Sequence, residues 1–159
     1  MPCLGGKEDW YVVSTYLQLF YLYQLKFTME NRFILLNEDH KLLTKAQETD
    51  SQFAVLSDAE KNSISSRLAN AEQVTTADFP NNVSRLYDVI TLRNIYSRQN
   101  IQYKIVPPGE RDDWRGKISA ISPLGILLMG VTNGQSIVLQ TSRKKKYYVV
   151  MEVSNAMYI

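Results

Sequence analysis

One cysteine and one histidine in 159 residues remove several function classes at the outset. Cys3 has no partner for an intramolecular disulfide, and no Cys or His cluster exists to hold a structural zinc. With His40 alone, hydrolytic triads and histidine-rich metal sites are disfavoured, while carboxylate or lysine chemistry stays open. No cofactor, resident metal or small-molecule substrate is expected. A convincing membrane span is also missing. The stretch from Trp10 to Phe27 carries only Lys26 as a formal charge, but Ser14, Thr15, Gln18 and Gln24 interrupt it, and about 20 predominantly apolar residues are needed to cross a bilayer. Its upstream charges Lys7, Glu8 and Asp9 are not the basic start of a signal peptide.

What the chain does have is 45% hydrophobic residues and an uneven charge distribution. The net charge is +2, the profile of a small globular protein. Residues 1–80 hold seven basic and eleven acidic side chains, net −4, whereas residues 81–159 hold eleven and five, net +6. The molecule is bipolar. Residues 1–28 form an N-terminal extension with three readings open: an over-extended translation start ahead of Met29, a peripheral packing segment, or a membrane anchor. Binding to a membrane is the least expected of these.

Residues 29–78 read as a short antiparallel helical hairpin. A brief strand-like run from Arg32 to Leu36 precedes a helix for which Asn37 offers an N-cap. A polar turn over Glu48, Thr49, Asp50 and Ser51 follows, then the apolar patch Phe53 to Leu56. Ser57-Asp58-Ala59-Glu60 is a capping box, in which the hydroxyl and the carboxylate satisfy each other's backbone amides. The second helix places Ile64, Leu68 and Ala71 on one face and leaves Lys61, Arg67, Asn70 and Glu72 for solvent. The two helices are expected to run about 11 and 17 residues.

Residues 79–159 change texture to short β-type runs. Strands are predicted at 88–95 and 101–105, joined by a hairpin, then at 117–121, 135–139 and 147–153. Pro107-Pro108-Gly109 breaks the sheet, and a charged loop runs from Glu110 to Trp114. Ser122-Pro123 starts a helix barely two turns long, with Leu124, Leu127 and Leu128 on its buried side and Gly130 at its end. The fold class is α+β: roughly five antiparallel strands on one short helix, preceded by the helical hairpin.

The succession Val89-Ile90-Thr91-Leu92, Tyr103-Lys104-Ile105-Val106-Pro107-Pro108, Gly116-Lys117-Ile118-Ser119-Ala120-Ile121-Ser122-Pro123-Leu124-Gly125, Leu127-Leu128-Met129-Gly130 and Val131-Thr132-Asn133-Gly134-Gln135 resembles the C-terminal domain of the bacterial GreA/GreB transcript-cleavage factors. It spans residues 83–155, with Lys117 to Gln135 its most specific part. The resemblance implies an FKBP-like antiparallel sheet and an RNA polymerase-binding regulator of transcription elongation, bacterial and cytoplasmic. In that family, acidic residues at the tip of a long coiled coil help hold a catalytic metal in the polymerase secondary channel. The helices here would reach roughly 17–25 Å, against ~45 Å for a helix of about 30 residues. The layout is therefore similar to the short Rnk-type members, the regulators of nucleoside diphosphate kinase, and implies docking without stimulated cleavage. The chain is expected to be a monomer and not an enzyme.

Several residues become candidates. Ile121, Ser122, Pro123 and Leu124 form the polymerase-docking segment that the resemblance implies. Ile121 stands where Gre factors often carry an Asp implicated in polymerase contact, which leaves the strength and mode of docking open. Glu48, Asp50 and Asp58 are candidate acidic tip residues, or else simply solvate a turn and favour a helix start. Arg143, Lys144, Lys145 and Lys146 form a basic patch, either a solvated turn, an approach to an acidic protein surface, or a weak or indirect nucleic-acid contact, DNA included. His40 reads as a surface or packing residue. Two other function classes stay open: an FKBP-like peptidyl-prolyl isomerase, a reading from fold analogy alone, and a membrane-proximal adaptor using residues 10–27.

Overall fold

The computed structural model describes residues 33–140 and 144–155. The extension 1–28 and Arg143 lie outside the described residues. From Phe33 onward the chain forms one compact unit. No helix among the described residues is long and apolar enough to cross a membrane.

Strand β1 (Ile34–Leu36) leads directly into α1 (Asn37–Thr49). Leu36, not Asn37, is the N-cap residue, and no side chain caps this end, so Asn37 is already helical. A short α2 (Ser51–Ala54) forms the tip, and Asp50 caps it by accepting the Phe53 N–H at 2.9 Å. The capping box at Ser57 and Glu60 is formed as the sequence predicts and starts α3 (Asp58–Ala69). The helices have 13 and 12 residues, more equal than expected. Asn70 ends α3, and the chain enters β2 (Glu72–Val74), which pairs with β1 in parallel. This second strand has no clear sequence signal, because three residues of mixed polarity show no period.

The second part of the chain supplies β3 (Val89–Asn94), β4 (Asn100–Val106), β5 (Lys117–Ser119), α4 (Pro123–Leu128), β6 (Ser136–Gln140) and β7 (Lys145–Ser154). The strand order is β5-β4-β3-β7-β6. The α+β class expected from the sequence is the one observed. One pairing differs: β5 lies parallel to β4, because Pro107-Pro108-Gly109 prevents a tight hairpin and two 3-10 turns at 108–110 and 113–115 carry the chain back.

Alternation within the strands buries one sheet face. Ile90 and Leu92 of β3, Ile105 of β4, Ile137 of β6 and Val150 of β7 turn inward and meet Ile126, Leu128 and Met129. The same cluster takes in Leu35 from β1 and Leu43, Ile64 and Leu68 from the helical pair. Helices and sheet therefore bury against one another, as hairpins without a core of their own must. Arg67, read from its helical position as a solvent residue, instead donates from Nε to the Ile126 carbonyl at 3.1 Å and lies over the Phe33 ring at 4.3 Å. His40 Nε2 bonds the Leu68 carbonyl at 2.9 Å, tying α1 to the end of α3.

Gly125 shows how tightly α4 is pressed onto β5. A Cβ at this position would sit 1.8 Å from the Ser119 carbonyl oxygen, so only glycine permits the approach. Gly125→Ala is expected to destabilise the protein by about 3 kcal/mol or more, measured by chemical denaturation. Gly109→Ala, where nothing lies within 4 Å, is expected to stay within ~0.5 kcal/mol of the parent; equal effects of the two would refute this packing account.

Candidate functional site

The Ser-Pro start of α4 is built as its sequence suggests. Ser122 Oγ accepts the Gly125 N–H at 3.0 Å and donates to the Ser119 carbonyl at 2.7 Å, while Pro123 occupies the first turn. Ser122, Pro123 and Leu124 are half-buried and line an open cavity of about 280 Å³. Ile118 and Ser119 of β5 and Leu139 and Gln140 of β6 complete its floor and one wall. Glu60 of α3 and the pair Arg111 and Asp113 supply its charge. Ile121 is a different matter. At 1% exposure it belongs to the core cluster, in the turn between β5 and α4, and it offers a partner no side chain.

Two charged groups of this cavity lock each other. Arg111 donates from Nε and Nη2 to both carboxylate oxygens of Asp113 at 2.9 and 2.7 Å. This bidentate bond holds the Asp113 carboxyl below the usual carboxylate range and raises the Arg111 guanidinium further. Trp114 follows in the same 3-10 turn and is completely exposed. Sequence reasoning singled out neither this ion pair nor Trp114. The signal available was an indole within a charged loop, where solvation alone gives it no reason to be.

The hairpin residues are placed less simply. Glu48 and Asp58 are exposed at the end of α1 and the start of α3. Asp50 is engaged as the α2 cap, and its charge is felt by Arg111. Asp50 also lines a second cavity of about 360 Å³, between Leu42, Lys45, Ala46 and Thr49 of α1 and the Pro107-Pro108-Gly109 loop. The tip thus lies against the sheet-bearing part of the chain. Among the described residues no three His, Cys, Asp or Glu side chains are grouped to hold a metal ion. Lys144, Lys145 and Lys146 are exposed where β7 begins.

A buried electrostatic cluster sits at the base of α1. Asp88 is 3% exposed; its Oδ2 accepts the Arg85 N–H at 3.0 Å and its Oδ1 has no partner. Burial raises its pKa, opposed by the Arg85 amide and charge. Asp39 in the first turn of α1 is pushed from 3.8 to about 6, first by burial and then by Glu38 and Asp88, with Arg85 pulling the other way.

Residues 80–155 match a family model described as "Transcription elongation factor, GreA/GreB, C-term". GreA of Pseudomonas aeruginosa is 28% identical over 91 residues, covering 57% of this chain and 58% of that protein. GreA of Thermotoga neapolitana is 33% identical over 88 residues, covering 55% and 56%. The chain spans little more than half the length of these curated relatives. A solved structure described as a prokaryotic transcription elongation factor GreA/GreB from Nitrosomonas europaea superposes with a TM-score of 0.62 at 22% identity, covering 77% of this chain and 98% of that one. That likeness is one of fold. The family resemblance carried by Val89 to Gln135 holds, over nearly the span expected.

The Asp39 environment generates a pH-dependent expectation. A carboxyl raised in the folded state destabilises the fold above about pH 6, and this penalty fades as pH falls toward its unfolded value. Asp39→Asn is expected to raise Tm by about 3–8 °C at pH 7.5 and to change it little at pH 4. Thermal unfolding at both values checks this, and a loss of stability at pH 7.5 contradicts it.

Proposed function

We propose that this chain, whose residues 80–155 form a GreA/GreB-type C-terminal domain, is a non-enzymatic, cytoplasmic regulator of transcription elongation. In this reading it binds RNA polymerase through the cavity at the start of α4 and does not stimulate transcript cleavage. The observation that carries the reading is the composition of that cavity. Ser122, Pro123 and Leu124, inside the matched segment, line it together with Glu60 from the hairpin and the Arg111–Asp113 pair. Apolar lining from Ile118, Leu124 and Leu139, a few fixed charges and a fully exposed tryptophan next in the chain to Asp113 are the makeup of a protein-docking site.

Helix length supports the absence of cleavage. At ~1.5 Å per residue, 13 and 12 residues extend only about 20 and 18 Å. The tip also folds back onto the Pro107–Gly109 loop, and Asp50 is engaged as a helix cap. Such a hairpin is suited to packing at the mouth of a channel, as the layout of the short Rnk-type members suggests, and not to carrying acidic residues deep into one.

The test is a stalled elongation complex with purified core RNA polymerase, scored for binding and for cleavage. Binding without cleavage is expected. Trp114→Ala, which removes a fully exposed side chain, and Leu124→Ser, at the cavity wall, are each expected to weaken binding about 10-fold, or ~1.4 kcal/mol. Failure to bind at low salt, or robust cleavage, overturns this function.

A further inference from the structure

The sheet has a second face, which no helix among the described residues covers. Val89, Thr91 and Arg93 alternate with the buried Ile90 and Leu92 and therefore point outward. Their cross-strand partners on β4 are Lys104, Gln102 and Asn100, and Lys104 is in turn the partner of Lys117 on β5. On the other side Arg93 faces Val149 of β7, and Tyr147 and Lys145 continue that face by twos. Lys145, Arg93, Lys104 and Lys117 thus cross the sheet diagonally. About four residues of strand, roughly 14 Å, separate Lys145 from Arg93 and Arg93 from Lys104 along the strand direction, while Lys104 and Lys117 lie side by side on adjacent strands.

Cations outnumber carboxylates on this face, although Asp112 bridges to Lys117 at one edge and Glu110 bonds Tyr87, the ring beside Lys104. Residues 89–109 and 114–151 contain no Asp or Glu at all, yet include Arg93, Arg98, Lys104, Lys117, Lys145 and Lys146. Glu152, opposite Thr91, is the acidic residue of this face, and it accepts a hydrogen bond from Ser154. The ion pairs Arg111–Asp113 and Arg115–Asp112 do not engage the diagonal cations. Between them lie neutral hydrogen-bonding groups, with Gln102 Nε2 bonding Thr91 Oγ1 at 3.3 Å and Arg93 Nε bonding Asn100 Oδ1 at 2.9 Å.

Aromatic rings complete the arrangement. Tyr96, at the tip of the β3–β4 hairpin, is 77% exposed and meets Tyr147 edge-on at 5.8 Å. An exposed ring, Tyr96, braced by the half-buried Tyr147 beside a line of cations suits a polyanion whose units carry their own π-faces. A duplex keeps those faces stacked inside, and an acidic protein has none to offer. We propose that this sheet face binds single-stranded nucleic acid, with the phosphates tracking Lys145, Arg93, Lys104 and Lys117 and a base stacking on Tyr96. The site is separate from the α4 cavity, so it stands or falls independently of polymerase docking.

The test is fluorescence anisotropy of a labelled 12-nucleotide oligouridine with the full chain at 50 and 200 mM KCl. Binding at 50 mM that weakens at 200 mM is expected. An Arg93→Gln, Lys104→Gln, Lys145→Gln triple variant is expected to lose at least 10-fold in affinity, and its slope of log affinity against log salt to become shallower by about 2. Tyr96→Ser, at an exposed tip with little influence on folding, is expected to lose about 5-fold. Lys41→Gln with Lys45→Gln, exposed on α1, should stay within twofold of the parent. The proposal is overturned by no binding at 50 mM KCl, by a triple variant that binds like the parent, by an equal loss in the α1 variant, or by a duplex of the same length competing as well as the single strand.

Discussion

The six-residue helix α4 is held by groups from three separate parts of the chain. Its N-terminal end is capped by Ser122, and its third residue, Gly125, lets it press onto the Ser119 carbonyl. At its other end Ser84, fully buried, donates from Oγ to the Leu128 carbonyl at 2.5 Å and accepts the Val131 N–H at 2.9 Å. The Ser84 backbone adds two more bonds, to the Val131 carbonyl and from the Gly130 N–H. Arg67 of the hairpin then closes the Ile126 carbonyl. A helix this short has little stability of its own; it persists because its orphan backbone groups find partners elsewhere.

That constraint places the hairpin. Since Arg67 reaches α4 while Leu43, Ile64 and Leu68 enter the core formed with the sheet, the helical pair lies along the body of the protein. Its tip consequently meets the Pro107–Gly109 loop, and Glu60 comes to line the cavity beside Pro123. One carboxylate thereby does two jobs: it closes the capping box of α3 and charges the wall of the candidate docking site.

The bipolar charge of the sequence takes a definite spatial form. The acidic half becomes the helical pair, with Asp39 brought close enough to Arg85 and Asp88 to feel the charge of both. Much of the basic half is spread over strands whose inner positions are taken by apolar residues, so the cations have only the outer face to occupy. The protein therefore carries two surfaces of different character: a cavity with locked charges, and a basic sheet face with an exposed tyrosine at its hairpin tip.

What could be read from the residues was whatever depends on near neighbours in the chain. The Ser57–Glu60 capping box, the Ser122-Pro123 helix start, the alternation in β3 and the order of motifs from Val89 to Gln135 are all local, and each is present in the fold. The burial of Ile121, the inward turn of Arg67, the parallel pairing of β5 with β4 and the short strand β2 were not legible. Each depends on what another segment brings to the same place. Arg67 sits at a position that helical period alone assigns to solvent, until α4 supplies a carbonyl and Phe33 a ring. By itself the sequence determined the elements, their caps and the sign of charge in each half. Only tertiary packing decided which cations share a face and which carboxylates share a cavity, because strand register and helix docking set distances between residues tens of positions apart.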